Sequence, residues 1–150
     1  MKIFLRSIAV FVIVAGIAFY AISKNASRKS AAPGLIFIEN SWPEALKQAS
    51  VKHKYIFVDA YATWCGPCKM MRSTTFKDKR VIEFFNKNFI NAALDMEKGQ
   101  GPQLAQAWQL QAYPTLYVFD EQGKPVLYAV GYIDANELLK FGQAALKKKN

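Results

Sequence analysis

From residue 35 onward the apolar positions alternate between short runs and helical repeats. Leu35–Ile38, Tyr55–Tyr61, Phe89–Asp95 and Leu116–Phe119 are near-continuous apolar stretches with the length and the aromatic or β-branched content of buried strands. Val126–Val130 comes after the last of these, across Asp120-Glu121-Gln122-Gly123-Lys124, which reads as a hairpin turn. Ser41 with Glu44 three residues on forms a capping-box pattern, and the helix it opens carries Ala45, Leu46 and Ala49 inward before stopping near Lys52. A helix after Cys68 breaks around Ser73-Thr74-Thr75. Asp78 then caps a second piece with Val81, Ile82, Phe84 and Phe85 at core spacing. Gly99–Pro102 is a loop. Gln103–Gln109 is a short helix presenting Leu104, Ala107 and Trp108 to the core, and Asn136–Lys148 is a final amphipathic helix burying Leu138, Leu139, Phe141 and Leu146. The order β-α-β-α-β-α-β-β-α predicts an α/β fold, with a mixed central sheet of about five strands and helices on both faces.

The first 34 residues obey a different rule. Lys2 and Arg6 precede Ile8–Ile22, and no charge interrupts Ser7 to Ser23. Such a run is a signal peptide or a short N-terminal membrane anchor, spanning residues 1–23, and both imply export of the domain behind it. Residues 24–34 are polar, rich in Ser and Ala, and end in Pro-Gly, the composition of a tether. Residues 35–150 then form one domain. With 11 Phe, 7 Tyr and 3 Trp in a chain that is 52% hydrophobic, material for a packed core is ample.

Chemistry concentrates at Trp64-Cys65-Gly66-Pro67-Cys68-Lys69, which holds both cysteines of the chain. A strand precedes it and good helix formers succeed it, the context in which Cys-x-x-Cys spacing means redox chemistry. A cysteine at the first turn of a helix faces unpaired N–H groups and the positive end of the helix dipole, which favour thiolate, the nucleophile. Pro67 suits a first turn, and Gly66 lets a partner's backbone come close. A structural disulfide or half of a zinc site are the other readings. Zinc would need about four ligands, and beyond these cysteines the chain has one histidine, His53, in a polar turn and given no function.

Three further positions stand out. Asp59 is a carboxylate inside an apolar strand; buried acids are rare unless paired or functional, and burial would raise its pKa toward neutrality. Tyr113-Pro114 sits directly before a strand, which makes it a candidate cis peptide bond that composition alone does not decide. Gly131 interrupts the last strand and suggests close approach of another backbone.

The formal net charge is +9, but five basic residues flank the N-terminal run. The remaining 15 against 11 acids leave +4, with Lys147-Lys148-Lys149 at a helix end. No phosphate-tracking patch with interleaved aromatics remains, so no nucleic-acid partner is expected.

The hexapeptide at 64–69, Asp59 six positions before Cys65, Tyr113-Pro114-Thr115 and Gly131 together resemble the thioredoxin superfamily over residues 35–148. Thr75-Phe76-Lys77-Asp78-Lys79-Arg80-Val81, and less specifically Gly131-Tyr132-Ile133-Asp134, resemble the C-terminal domain of DsbD and related small periplasmic thioredoxin-like proteins. That resemblance implies a thioredoxin fold. It implies Cys65 as attacking thiolate, Cys68 as resolving thiol and Asp59 as the base taking the proton of Cys68. Pro114 would be the cis proline beside the sulfurs, Tyr113 would offer its backbone to a bound peptide, and Trp64 would shield one side of a site whose turn is Gly66-Pro67. It also implies a departure: thioredoxin pairs its buried Asp with a lysine on the third strand, where Asn91 or a neighbouring alanine stands here.

The expected function is thiol–disulfide exchange, most simply reduction of disulfides in exported proteins. It needs no metal or organic cofactor, and its upstream thiol donor could be a membrane protein. An oxidase or isomerase would use the same residues. A reading from another class is a non-catalytic adaptor or chaperone gripping unfolded chains along the groove by Tyr113 and Pro114.

Overall fold

Strand β2 (Tyr55–Tyr61) is the spine of the domain, with its first six residues buried. The computed structural model describes residues 34–149. In chain order the other elements are β1 (Ile38–Glu39), α1 (Trp42–Lys52), α2 (Gly66–Ser73), a 3-10 turn at Thr75–Lys77, α3 (Lys79–Asn88), β3 (Phe89–Asp95), α4 (Gly101–Ala107), β4 (Thr115–Phe119), β5 (Pro125–Val130) and α5 (Ala135–Lys147). They build one five-stranded sheet in the order β1-β3-β2-β4-β5. β1 and β2 run parallel to β3, whereas β4 is antiparallel to both β2 and β5. This is the expected mixed α/β architecture, the thioredoxin fold. The N-terminal apolar run and residues 24–33 of the tether lie outside the described residues. Among the described residues no helix is long and apolar enough to cross a membrane.

Alternation along β2 divides the core in two. Ile56, Val58 and Ala60 join Ala45, Ala49, Leu94 and Phe119, with Trp42, Leu104, Ala105 and Trp108 closing that face. Phe57 turns the other way, to Met71, Phe85, Phe89, Leu116, Val118 and Leu138. Phe85 is the pivot of that second face, its ring 4.6 Å from that of Phe57 and 5.0 Å from that of Phe89. Full burial of one such side chain contributes about 1.5–3 kcal/mol, so each strand residue on these faces matters to stability.

Several local expectations need correction. β1 is two residues long, not Leu35–Ile38. The backbone of residues 34–36 is held by side chains instead: the Ile36 N–H donates to Asn86 Oδ1 at 3.0 Å and Asn91 Nδ2 donates to the Ile36 carbonyl at 3.3 Å. Asn40, with φ of 53°, ends β1 and accepts the Asp95 N–H on its side chain at 2.8 Å. Ser41 does open α1, but its side chain caps nothing and Glu44 accepts from Gln48 instead. The reciprocal capping box is at α5, where Asp134 and Glu137 each accept the other's backbone N–H. α4 starts at Gly101, and Ala107 is exposed while Ala105 packs inward with Leu104 and Trp108. The Pro114 backbone does approach Gly131, its carbonyl oxygen 2.8 Å from the Gly131 nitrogen, but a Cβ there would meet nothing within 4 Å, and the φ of 92° is what asks for glycine.

Candidate active site

β2 ends at Tyr61, and the chain turns through Ala62, Thr63 and Trp64 into α2. Cys65 is the N-cap of that helix, in extended conformation, and its Sγ accepts the Cys68 backbone N–H at 3.1 Å. A sulfur replaces the oxygen of an ordinary N-cap residue here, satisfying one of the free N–H groups of the first turn. Pro67 in the first turn lacks the N–H that would otherwise go unpaired. A Cβ at Gly66 would meet nothing, so the turn presents bare backbone outward. Cys65 and Cys68 are disulfide-bonded with their Cα atoms 5.4 Å apart. Both residues are 2% exposed and pack with Ala62, Tyr61 and Tyr113.

The rim over this disulfide is aromatic. Trp64 is 65% exposed, meets Tyr113 edge-on with ring centroids 5.9 Å apart, and donates its indole N–H to Glu97 Oε2 at 2.8 Å. Glu97 is brought there because the Met96 N–H donates to the Tyr61 carbonyl at 2.8 Å, which ties the end of β3 to the end of β2. On the other side, the Tyr113–Pro114 bond is cis, and the Pro114 carbonyl accepts the Gly131 N–H at 2.8 Å. Thr115 Oγ1 donates to the Ala112 carbonyl at 2.7 Å and closes the turn from beneath. The sheet thus gathers Trp64, Cys65, Gly66, Pro67, Cys68, Tyr113 and Pro114 at one end of β2 and β4.

Asp59 lies deeper. It is 1% exposed, and alternation along β2 puts it on the same face as Phe57, the face that Met71 of α2 covers. Its register partners are Ala93 on β3 and Leu116 on β4. No lysine from the third strand faces it. Ala93 stands directly opposite, and Asn91, two residues earlier on the same strand, turns its amide to Ile36 and Asn86. The counter-charge comes instead from α2: Arg72 Nε is 3.5 Å from Asp59 Oδ2, an ion pair longer than a hydrogen bond. Both Asp59 oxygens and Arg72 Nε and Nη2 are buried without a hydrogen-bond partner among the described residues. Burial pushes the Asp59 carboxyl up from 3.8 to about 6, with Arg72 pulling it down and Glu39 pushing it up.

Arg72 is the charged neighbour of Asp59 that the linear pattern does not announce. The signal available was its spacing, four residues after Cys68 and therefore one turn further along the same helical face. Nothing in that spacing says that its side chain reaches across to a strand residue.

Residues 42–146 match the family of thioredoxin-like domains, and the chain belongs to that family. It is 28% identical over 102 residues to the thiol:disulfide interchange protein DsbD of Campylobacter jejuni, a match covering 67% of this chain and 18% of that protein. A thioredoxin-like protein of Synechocystis is 36% identical over 87 residues, 58% of this chain and 77% of its own. Among solved structures, a Bacteroides thetaiotaomicron protein named provisionally as a disulphide-isomerase superposes with a TM-score of 0.69 at 46% identity, over 77% of this chain and 95% of its own. A thioredoxin from Thermus thermophilus shares the fold with a TM-score of 0.66 at 20% identity, over 73% of this chain and 87% of its own. The chain therefore belongs to the thioredoxin-like family of disulfide oxidoreductases by its domain, and it carries a Cys65–Cys68 pair. It spans about a fifth of the length of the DsbD relative it matches.

Proposed function

We propose that this protein reduces disulfide bonds in exported proteins by thiol–disulfide exchange. The observation that carries the reading is the sulfur of Cys65 at the cap of α2, holding the Cys68 N–H while bonded to Cys68 Sγ. In the reduced protein the same N–H stabilises a Cys65 thiolate. That thiolate attacks one sulfur of a substrate disulfide, forming a mixed disulfide and releasing the other substrate sulfur as a thiolate. Asp59, ionised, takes the proton of Cys68. The Cys68 thiolate then attacks Cys65 Sγ, the Cys65–substrate bond breaks, and the second substrate thiolate leaves and is protonated from solvent. Two electrons pass from the dithiol to the substrate, and an upstream thiol donor returns them.

Tyr113 and Pro114 offer backbone to the incoming peptide, and Trp64, Gly66 and Pro67 form the opposite lip. The reducing direction is supported by the Cys65-Gly66-Pro67-Cys68 turn, which resembles that of the reducing branch of the thioredoxin superfamily. Export is supported by the apolar run between Ser7 and Ser23, which would hold the domain at a membrane or be removed on the way out. The Bacteroides relative's name favours a second reading, disulfide isomerisation, on the same residues.

The test is reduction of insulin disulfides with dithiothreitol as donor. The wild-type chain is expected to accelerate the reaction and Cys65→Ser to abolish the acceleration. Equal activity of the two would leave only a binding module. A faster rate on scrambled ribonuclease than on insulin would move the assignment to isomerisation.

A further inference from the structure

Three charges from three separate elements meet on the face of β2 that α2 covers. Arg72 leaves α2, lays its guanidinium over the Tyr61 ring at 4.1 Å from the centroid, and points Nε at Asp59. Its Nη2 lies 3.9 Å from Oε2 of Glu39, at the end of β1. The two strands flanking Asp59 offer only Ala93 and Leu116 at its level, so Arg72 from α2 and Glu39 from β1 are the charges that act on it.

We infer that Arg72 is a positioning residue for the buried carboxylate, holding Asp59 in the ionised form that receives the proton of Cys68, and that Glu39 opposes it by drawing on the same guanidinium. This rests on the thiol–disulfide reading above. The geometry makes the two roles separable. Arg72 has a partly buried side chain braced on an aromatic face, and its Nε is buried with no other partner among the described residues, so its charge is directed at Asp59. Glu39 is half exposed and touches Asp59 only through Arg72 and through space. A carboxyl that burial alone would keep protonated at neutral pH cannot accept a proton; a cation within about 4–6 Å returns it to the ionised form. Removal of Glu39 does the reverse of removal of Arg72, because it takes away a like charge and frees the guanidinium for Asp59.

The experiment tracks the Asp59 carboxyl by carbon NMR across pH in the oxidised full-length chain, where the cysteines do not titrate. Alongside it, the release of a model peptide from its mixed disulfide with Cys65 is timed across pH in the reduced chain. Arg72→Met is expected to raise the Asp59 midpoint by about one pH unit or more and to slow release at pH 7 by about two- to tenfold. Arg72→Lys should restore most of both, and Glu39→Gln should move the midpoint and the release profile downward. A lost packing contact would not produce shifts of opposite sign from the two variants. If Arg72→Met fails to fold, Glu39→Gln decides by itself. An Asp59 midpoint and a release profile that stay at the wild-type positions in the folded variants overturn the inference. A wild-type chain that reduces no disulfide, yet shows the opposed carboxyl shifts, would overturn the reductase reading while leaving the charge arrangement supported.

Discussion

Arg72 Nε sits 3.5 Å from Oδ2 of Asp59, so the buried carboxylate at the centre of the sheet is paired with a cation from the helix that carries the cysteines. The strand position opposite Asp59 is Ala93 and supplies no charge. A cation on α2 is fixed to the element that carries the cysteines. A cation on β3 would be fixed to the rigid sheet. The buried acid is therefore paired with the same helix whose N-terminus holds Cys65.

Asp59→Asn tests what burial of this acid costs. Below pH 3.8 the carboxyl is protonated whether the chain is folded or not, and it carries no pH-linked cost. Between 3.8 and about 6 the unfolded chain has released the proton while the folded one keeps it, so stability falls as pH rises; above about 6 the cost is complete. The variant should match the wild type near pH 3 and exceed it at pH 7 by up to about 3 kcal/mol, less what Arg72 loses with its partner. Urea unfolding at the two pH values measures it. A variant no more stable at pH 7 than at pH 3, relative to wild type, would show that Asp59 is not held up by burial.

The two cysteines should behave unequally. Cys68→Ser removes the resolving thiol, so mixed disulfides with substrate accumulate on Cys65 and are seen by mass spectrometry under non-reducing conditions. Cys65→Ser leaves nothing to attack and should give no adducts. Adducts forming mainly on Cys68 in the Cys65→Ser protein would reverse the assignment of roles.

Gly101 is a tight point outside the site. A Cβ there would overlap the Asp95 carbonyl oxygen and lie 2.7 Å from Met96 Cα, both backbone atoms that no rotamer change can move. Gly101→Ala should cost about 3 kcal/mol or more, toward the upper end of overpacking penalties, read as a lower urea midpoint. A midpoint equal to that of wild type would mean that the loop before α4 yields without cost.

Glu97→Ala removes the acceptor of the Trp64 indole N–H. The pair is exposed, so the loss in stability should stay within about 1.5 kcal/mol. The freed indole should raise the KM for a protein substrate more than it lowers kcat, and steady-state insulin reduction distinguishes the two. An unchanged KM would mean that the orientation of Trp64 is irrelevant to substrate.

Much of this arrangement is legible in the sequence. The Tyr55–Tyr61 run announces a strand buried on both faces, and the acid within it stands out for that reason. The Cys-x-x-Cys turn between a strand and helix formers places the sulfurs at a helix N-terminus. What escapes is interaction across elements. Leu35–Ile38 has strand composition, yet Asn86 and Asn91 satisfy its backbone and leave two residues to pair. Ser41 and Glu44 have the capping-box spacing without the contacts, while Asp134 and Glu137 have both. Arg72 reads as a helix former, and only the packing of α2 on β2 reveals what its guanidinium reaches.

The central claim is that the Cys65–Cys68 pair works as a reductant, and its reduction potential tests that most directly. The full-length chain would be equilibrated against glutathione and dithiothreitol buffers and the dithiol fraction read by thiol alkylation. The account predicts a value close to about −270 mV, that of thioredoxin. A value near about −120 mV, that of a strong oxidant, would contradict it and make the protein a disulfide-forming enzyme.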